Sequence, residues 1–433
     1  MLEKLRKLNL ANFAICFTMV VGMLMVIIFS HYLFADNVHL VEQEQMRGSV
    51  RTMEYEVRTV PDKWAPQGVV EIYTMNAGTV TDGSESIAFF AVHQYVDVYI
   101  DDRLVYSLKK SDECELGQTA GTNWINVALE HDHSNKEIEI RLTPIYKSSI
   151  GAHMEFLAGH QIELVLKQLR SDWILMALSI LTMGSGFIFF VIAIFTFRNK
   201  TTGKNLASLG CFAIMIGVWK FTDIGLCFIM WPEKTILFFY TSIGMLMFMP
   251  VPIMKAMKSF YDERLHKFMD ISCIVAVTVA MVQIIFQMCN IMDLRETLVV
   301  THVVIALNAL FGLVALAYEK LYLKRAGRVG VGRMLFGICA AGAMTDLVIY
   351  YIKEESFGLF FTVLAFLIYI VVVGFQLAFD YFKKENALLE KEVELSESRI
   401  DLMVSQIQPH FLYNVITSIM AICMQSSEKA IAA

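Results

Sequence analysis

Charge is scarce in this chain. Asp, Glu, Lys and Arg make up 18% of its 433 residues, while apolar residues reach 56%. Mean hydropathy is +0.54. An ordinary soluble domain carries about 25% charged residues, so the shortage excludes a wholly water-soluble protein and points to several membrane spans. There is no basic excess either: the net charge is −6, which leaves no electrostatic footprint for nucleic acid. Cysteine is thinly spread. Of eight, Cys16, Cys211, Cys227, Cys273, Cys289 and Cys339 fall in apolar stretches, and Cys423 lies near the end of the chain. Only Cys114 lies in strand-like sequence, which excludes an internal disulfide there and fits a bacterial surface protein better than a disulfide-stapled ectodomain. Glycine is missing after Gly374, and no Gly-x-x-x-x-Gly-Lys-Ser/Thr loop occurs, so no P-loop nucleotide site is encoded. Metal ligands are wanting too. His131-Asp132-His133 has no identifiable third or fourth partner and reads as an exposed polar turn, so no metal site is expected.

What is present falls into blocks. Lys4, Arg6 and Lys7 precede an apolar run over residues 11–34. That run is longer than the roughly 7–15 residues of a signal-peptide core, so residues 1–35 read as an uncleaved signal anchor with its N-terminus inside. Cleavage after Ala35 is the alternative. Residues 36–171 differ in kind. Strict alternation over 96–100 and 138–142 gives each stretch one apolar face. Strands are also expected at 51–57, 69–74, 87–92, 103–108 and 124–129, with Asp101-Asp102 as a tight hairpin turn lacking the usual glycine. The spacing predicts an all-β sandwich, read as an extracellular sensor domain.

Seven apolar stretches follow within 172–380: 173–197, 205–231, 235–257, 269–291, 297–318, 334–352 and 357–379. Each is near the ~20 residues a spanning helix needs. Their connectors alternate in charge. Arg198, Lys200 and Lys204, then Lys255, Lys258, Arg264 and Lys267, then Lys320, Lys324, Arg325, Arg328 and Arg333 fill alternate loops. The intervening loops hold only Lys234, Arg295 and Lys353. The positive-inside rule places the β domain outside and the C-terminus in the cytoplasm. With the anchor the expectation is eight transmembrane helices, one plus seven, in a bacterial plasma membrane. Lys220, Asp223 and Asp346 lie within the apolar stretches. Intramembrane charges are costly; these three mark either a ligand or ion pathway or, for Lys220 and Asp223, a pair that holds the bundle together. Pro250 and Pro252 are expected to kink the helix they share.

Beyond the last stretch, Phe379, Phe382, Asn386, Leu389, Val393, Ser396, Ile400, Met403 and Ile407 recur at spacings of three and four. This heptad seam predicts a coiled-coil signalling helix over 381–404 and a parallel homodimer, with Asn386 and Ser396 fixing register at some cost in stability. It leads into Gln406-Ile-Gln-Pro409-His410-Phe-Leu-Tyr-Asn414. On a helix His410 and Asn414 share a face, and Pro409, which lacks an N–H and crowds the Ser405 carbonyl, is expected to kink that helix just before the histidine. A neutral imidazole keeps a nucleophilic lone pair near pH 7.

This stretch resembles the phospho-acceptor box of membrane sensor histidine kinases of the LytS/YpdA type. The resemblance implies that His410 is the phospho-acceptor and that Asn414, Pro409 and Gln406 shape its site. It further implies ATP and Mg²⁺ in the full-length kinase, bound by an ATP-binding domain that this chain does not include, so none is expected to bind to this chain alone. Residues 405–433 are then the start of the acceptor domain, and a response regulator is the expected partner. The strand pattern of 95–108 followed by 124–142 is similar to galactose-binding jelly-roll modules that precede some bacterial seven-transmembrane receptors with diverse intracellular signalling modules. That similarity implies a carbohydrate or cell-wall fragment as ligand. Two further roles stay open: a non-catalytic seven-helix receptor or adaptor that signals by coiled-coil dimerisation, and a transporter using Lys220, Asp223 and Asp346.

Overall fold

The structure, a computed structural model, describes residues 50–78, 85–109, 117–130, 133–152, 154–196, 200–258, 260–321, 331–353, 359–406 and 409–431. The anchor at 1–35, Cys114 and the pair His131-Asp132 lie outside the described residues.

The N-terminal part is a sandwich of two antiparallel sheets. One sheet contains β1 (Arg51–Thr52), β4 (Glu85–Val92), β7 (Thr122–Ala128) and β9 (Leu157–His160), in the order β1-β9-β4-β7. The other contains β2 (Glu56–Pro61), β3 (Val69–Asn76), β5 (Gln94–Ile100), β6 (Arg103–Leu108) and β8 (Glu137–Pro144), in the order β2-β3-β8-β5-β6. Period-two burial is visible on β5 and β8, where Val96, Val98, Ile138, Ile140 and Leu142 all point into the core. Phe156 fills its centre, with ring centroids 5.3 Å from Tyr55 and Tyr73 and 5.0 Å from Phe89. Asp101 and Asp102 do form the hairpin turn. Both take left-handed backbone angles (φ 53° and 62°), as the favoured two-residue turn demands and as Asp tolerates.

The single strand expected at 51–57 is corrected. Met53 is buried and Tyr55 packs on the core, so the chain crosses here from one sheet to the other. β1 pairs with β9, and β2 pairs with β3.

The sandwich runs without a linker into the first helix. That helix, α1 (Gln161–Phe195), begins well before Trp173 because Leu164 is already buried against Ala88 and Leu157 of the sandwich. Next come α2 (Lys200–Phe221) and the short α3 (Gly225–Met230). The stretch expected to continue from 205 to 231 as one span therefore ends at Phe221. There Asp223 N–H bonds back to the Lys220 carbonyl, and the Asp172 carboxylate receives the Leu226 N–H at 2.9 Å. α4 (Thr235–Phe248) and α5 (Pro250–Met257) join through Met249, whose own backbone is helical. The rest are α6 (Glu263–Met288), α7 (Leu298–Leu321), α8 (Val331–Lys353), α9 (Leu359–Gln406) and α10 (Pro409–Ile431).

Six helices among the described residues are long and apolar enough to cross a membrane: α1, α4 with α5, α6, α7, α8 and α9. α2 lies at the buried centre of the bundle. Its Leu206, Leu209, Phe212, Ala213 and Ile216 all lie in the main helical core. It can lie close to α1 because glycine meets glycine: a Cβ on Gly186 would stand 2.7 Å from the Gly210 carbonyl oxygen. α9 is one unbroken helix of 48 residues, so the last membrane stretch and the heptad seam have no joint between them.

Candidate functional site: a cavity between the sandwich and the helices

The sandwich sits on one end of the bundle and is tied there by Asp293, in the α6–α7 connection. Its Oδ2 accepts from the Gln118 N–H at 3.0 Å and from the Tyr146 hydroxyl at 2.6 Å, and its Oδ1 lies 3.3 Å from Gln287 Nε2. Burial and this carboxylate push the Tyr146 hydroxyl well above the ordinary tyrosine range, so it stays a donor at any ordinary pH. Thr235, at the start of α4, donates to the Ala120 carbonyl at 3.4 Å.

Beneath this contact is a cavity of about 660 Å³, within the size range of small-molecule sites. Phe90, Val92, His93 and Thr122 of the sandwich roof it. His93 links β4 to β5 in a left-handed conformation (φ 52°) and is buried, with Nδ1 2.7 Å from the Thr119 hydroxyl and its ring 4.6 Å from Phe239. Burial, with a smaller contribution from the nearby Arg295 charge, pulls its pKa down from 6.5 to about 3. It is therefore a neutral imidazole at physiological pH.

Polar groups gather at the end of the cavity nearest the sandwich. Lys220, at the end of α2, is buried and pairs with Asp223 at 3.0 Å; the Asp223 side chain is 41% exposed. Asp172 accepts from Gln168 Nε2 at 2.8 Å as well as from Leu226 N–H. Arg295 reaches the Tyr350 hydroxyl at 3.5 Å, and the His302 ring stacks edge-on to Tyr350 with centroids 5.6 Å apart. The opposite end is apolar, lined by Phe212, Ile253, Met254, Ala309, Phe336 and Phe366.

Of the three intramembrane charges read from sequence, Lys220 and Asp223 both line this cavity. Asp346 does not, but it is buried and accepts a hydrogen bond from Thr362, which does. Two of the three thus line one chamber, and Asp346 lies behind its wall, bonded to Thr362. His93 and His302 went unmarked, and Arg295 was read only as a connector charge. They come from a connector, a strand end and a helix face, and no spacing rule joins such positions.

The Gln406–Asn414 stretch lies elsewhere. Gln406 ends α9, Pro409 opens α10, His410 follows it, and Asn414 stands exposed one turn further along. A proline at the first position of a helix costs no hydrogen bond, since its missing N–H would have no partner there. From Thr362 to Gln406 the helix rises ~1.5 Å per residue, so roughly 65 Å separates the cavity wall from the box. No group of three His, Cys, Asp or Glu side chains fit to hold a metal occurs among the described residues. Comparison with protein-family models, curated proteins and solved structures finds no match for the chain.

Proposed function

We propose that this chain is the sensing and phospho-accepting portion of a membrane histidine kinase. The observation that carries the reading is the unbroken α9, which joins a cavity-lining segment at Thr362 and Phe366 to the Gln406–Asn414 box. In this reading the sandwich is extracellular, and the N-terminal anchor and seven bundle helices give eight spans of a bacterial plasma membrane. Basic residues support that orientation. Lys255, Lys258, Arg264 and Lys267 cluster at the α5–α6 turn, away from the sandwich.

The apolar seam on α9 supports a parallel coiled-coil homodimer. Phe379, Phe382, Leu389, Val393, Ile400 and Met403 are all exposed in the single chain and need cover. An ATP-binding domain on another segment supplies Mg²⁺ and ATP; no residue described here is assigned to hold them. The His410 imidazole then attacks the γ-phosphorus. A nitrogen–phosphorus bond forms, the bond to the bridging oxygen breaks, and ADP leaves. Asn414 orients the ring or a phosphate oxygen, and the phosphoryl group passes to an aspartate of a response regulator.

The test places the full chain in nanodiscs with γ-labelled ATP and an active ATP-binding domain of a LytS-type kinase. Label that is acid-labile, base-stable and lost in His410→Gln is expected. No label, with the partner domain demonstrably active and the chain dimeric, overturns the acceptor assignment and leaves the non-catalytic receptor.

A further inference from the structure

We infer that the cavity beneath the sandwich binds a single-chain amphiphile with an oxyanion head, held at Arg295, with its tail among the apolar helix faces. The binding rests on the cavity alone; only its use as an input signal rests on the kinase reading.

The argument starts from unequal pairing. Four charged side chains line the wall: Lys220, Asp223, Asp172 and Arg295. Three of them are engaged. Lys220 and Asp223 neutralise each other at 3.0 Å, and Asp172 already accepts two N–H donors. The carboxylates beside Arg295 in sequence are committed as well. Asp293 holds the sandwich through Gln118 and Tyr146, and Glu296 accepts the Asp293 N–H at 2.9 Å. Arg295 is left with one long hydrogen bond to Tyr350 and no ion-pair partner among the described residues. A guanidinium has five donors in a planar fork, the geometry that receives a carboxylate or phosphate oxygen pair. His302 and Tyr350 stand beside it with polar atoms of their own.

The shape adds a second constraint. Along α8 the cavity wall runs from Tyr350 to Phe336, a rise of about 20 Å at ~1.5 Å per residue. Its polar end is under the sandwich, and its far end is built mainly from phenylalanine, methionine, isoleucine and alanine side chains, with the amide of Asn308 engaged by Ser272 and the Val304 carbonyl. A compact hydrophilic ligand such as a free sugar or amino acid would leave that far end unfilled. An uncharged hydrocarbon would give the half-buried Arg295 no counter-charge. A head-and-tail anion satisfies both ends.

The experiment uses the full chain in nanodiscs of phosphatidylcholine and measures equilibrium binding of radiolabelled dodecanoate. Saturable binding is expected, with weak competition by dodecanol, dodecyltrimethylammonium and acetate. Arg295→Gln should weaken it by about tenfold or more, as loss of a charge-assisted pair does, with Arg295→Lys between the two. Ala343→Phe, which fills the chamber, should abolish it; thermal unfolding checks that each variant is folded. Displacement of dodecanoate by lysophosphatidylglycerol, which carries one acyl chain, would identify a single-chain lipid phosphate as the natural oxyanion. No displacement would favour a free fatty acid. Equal affinity for dodecanol, or undiminished binding in folded Arg295→Gln, overturns the inference. The competitor series needs no variant, so a folding failure does not leave it unanswered. Dodecanoate binding does not depend on label at His410, so either proposal can fail alone.

Discussion

The Tyr146 hydroxyl donates to Asp293 Oδ2 at 2.6 Å, joining residues 147 positions apart and fastening the sandwich to the helices. The carboxylate also serves Gln118 and Gln287, so the two ends of this bond are not equivalent.

Tyr146→Phe removes one donor and leaves Asp293 its other partners. Asp293→Ala strands several buried donors at once. Each buried polar group left without a partner costs about 1–3 kcal/mol. Asp293→Ala is therefore expected to lower the unfolding temperature more than Tyr146→Phe. It should also speed proteolytic release of the sandwich near Gln161. Equal effects in both variants would show that the bond is not the fastening.

His93 gives the sandwich end a pH dependence whose sign follows from burial. Its pKa of about 3 in the folded protein lies below the ordinary 6.5. Above pH 6.5 neither folded nor unfolded chains hold the proton. As the pH falls from 6.5 toward 3 only the unfolded chain takes it up, so stability is lost over that window and no further below it. At 1.36 kcal/mol per unit, the loss between pH 6.5 and 5 is about 2 kcal/mol. His93→Asn tolerates the left-handed backbone and should flatten this dependence in denaturation curves taken from pH 7 to 5. An unchanged slope would place the titrating group elsewhere.

Lys220 and Asp223 differ in burial, so their substitutions should differ too. Asp223→Ala leaves a buried ammonium without its counter-charge. Lys220→Met leaves a carboxylate whose side chain is 41% exposed and can be hydrated. The first is expected to cost roughly 2 kcal/mol or more, and the second close to nothing. Urea or thermal unfolding in micelles reads both. A larger loss in Lys220→Met would mean that Asp223, not Lys220, carries the desolvation penalty.

The exposed seam predicts association. Val393→Asp together with Ile400→Asp should turn a dimer into a monomer, because each places a charge where a facing helix buries an apolar side chain. Asn386→Leu should strengthen association while loosening register. Photobleaching step counts in nanodiscs distinguish these outcomes, and a wild-type monomer would remove the coiled coil from the proposal.

Sequence periodicity carried the sandwich well where one face is buried and the other is not. β5 and β8 alternate strictly, and β6 matches its expected bounds. It failed for β9, whose four residues Leu157–His160 are too few and too mixed to alternate visibly. It also joined β1 and β2, because an apolar residue that bridges two sheets looks like one that continues a strand. Intramembrane charge pointed to Lys220, Asp223 and Asp346, since apolar surroundings make any ionised group conspicuous. Arg295 had no such contrast. It sits in a polar connector, and only folding brings it over the chamber. The Gln406–Asn414 stretch stood out as a motif, and the structure adds that a new helix begins at Pro409.

The lack of a joint in α9 makes length a functional quantity. An α-helix turns about 100° per residue, so the angle between Thr362 at the chamber and Ile400 on the seam is fixed by the number of residues between them. Insertions below Phe366 should then alter output periodically. One added residue swings the seam away from its partner, and seven return it nearly in phase. In the proposed kinase, what passes along this helix is an angle, and evolution can tune it only in whole residues.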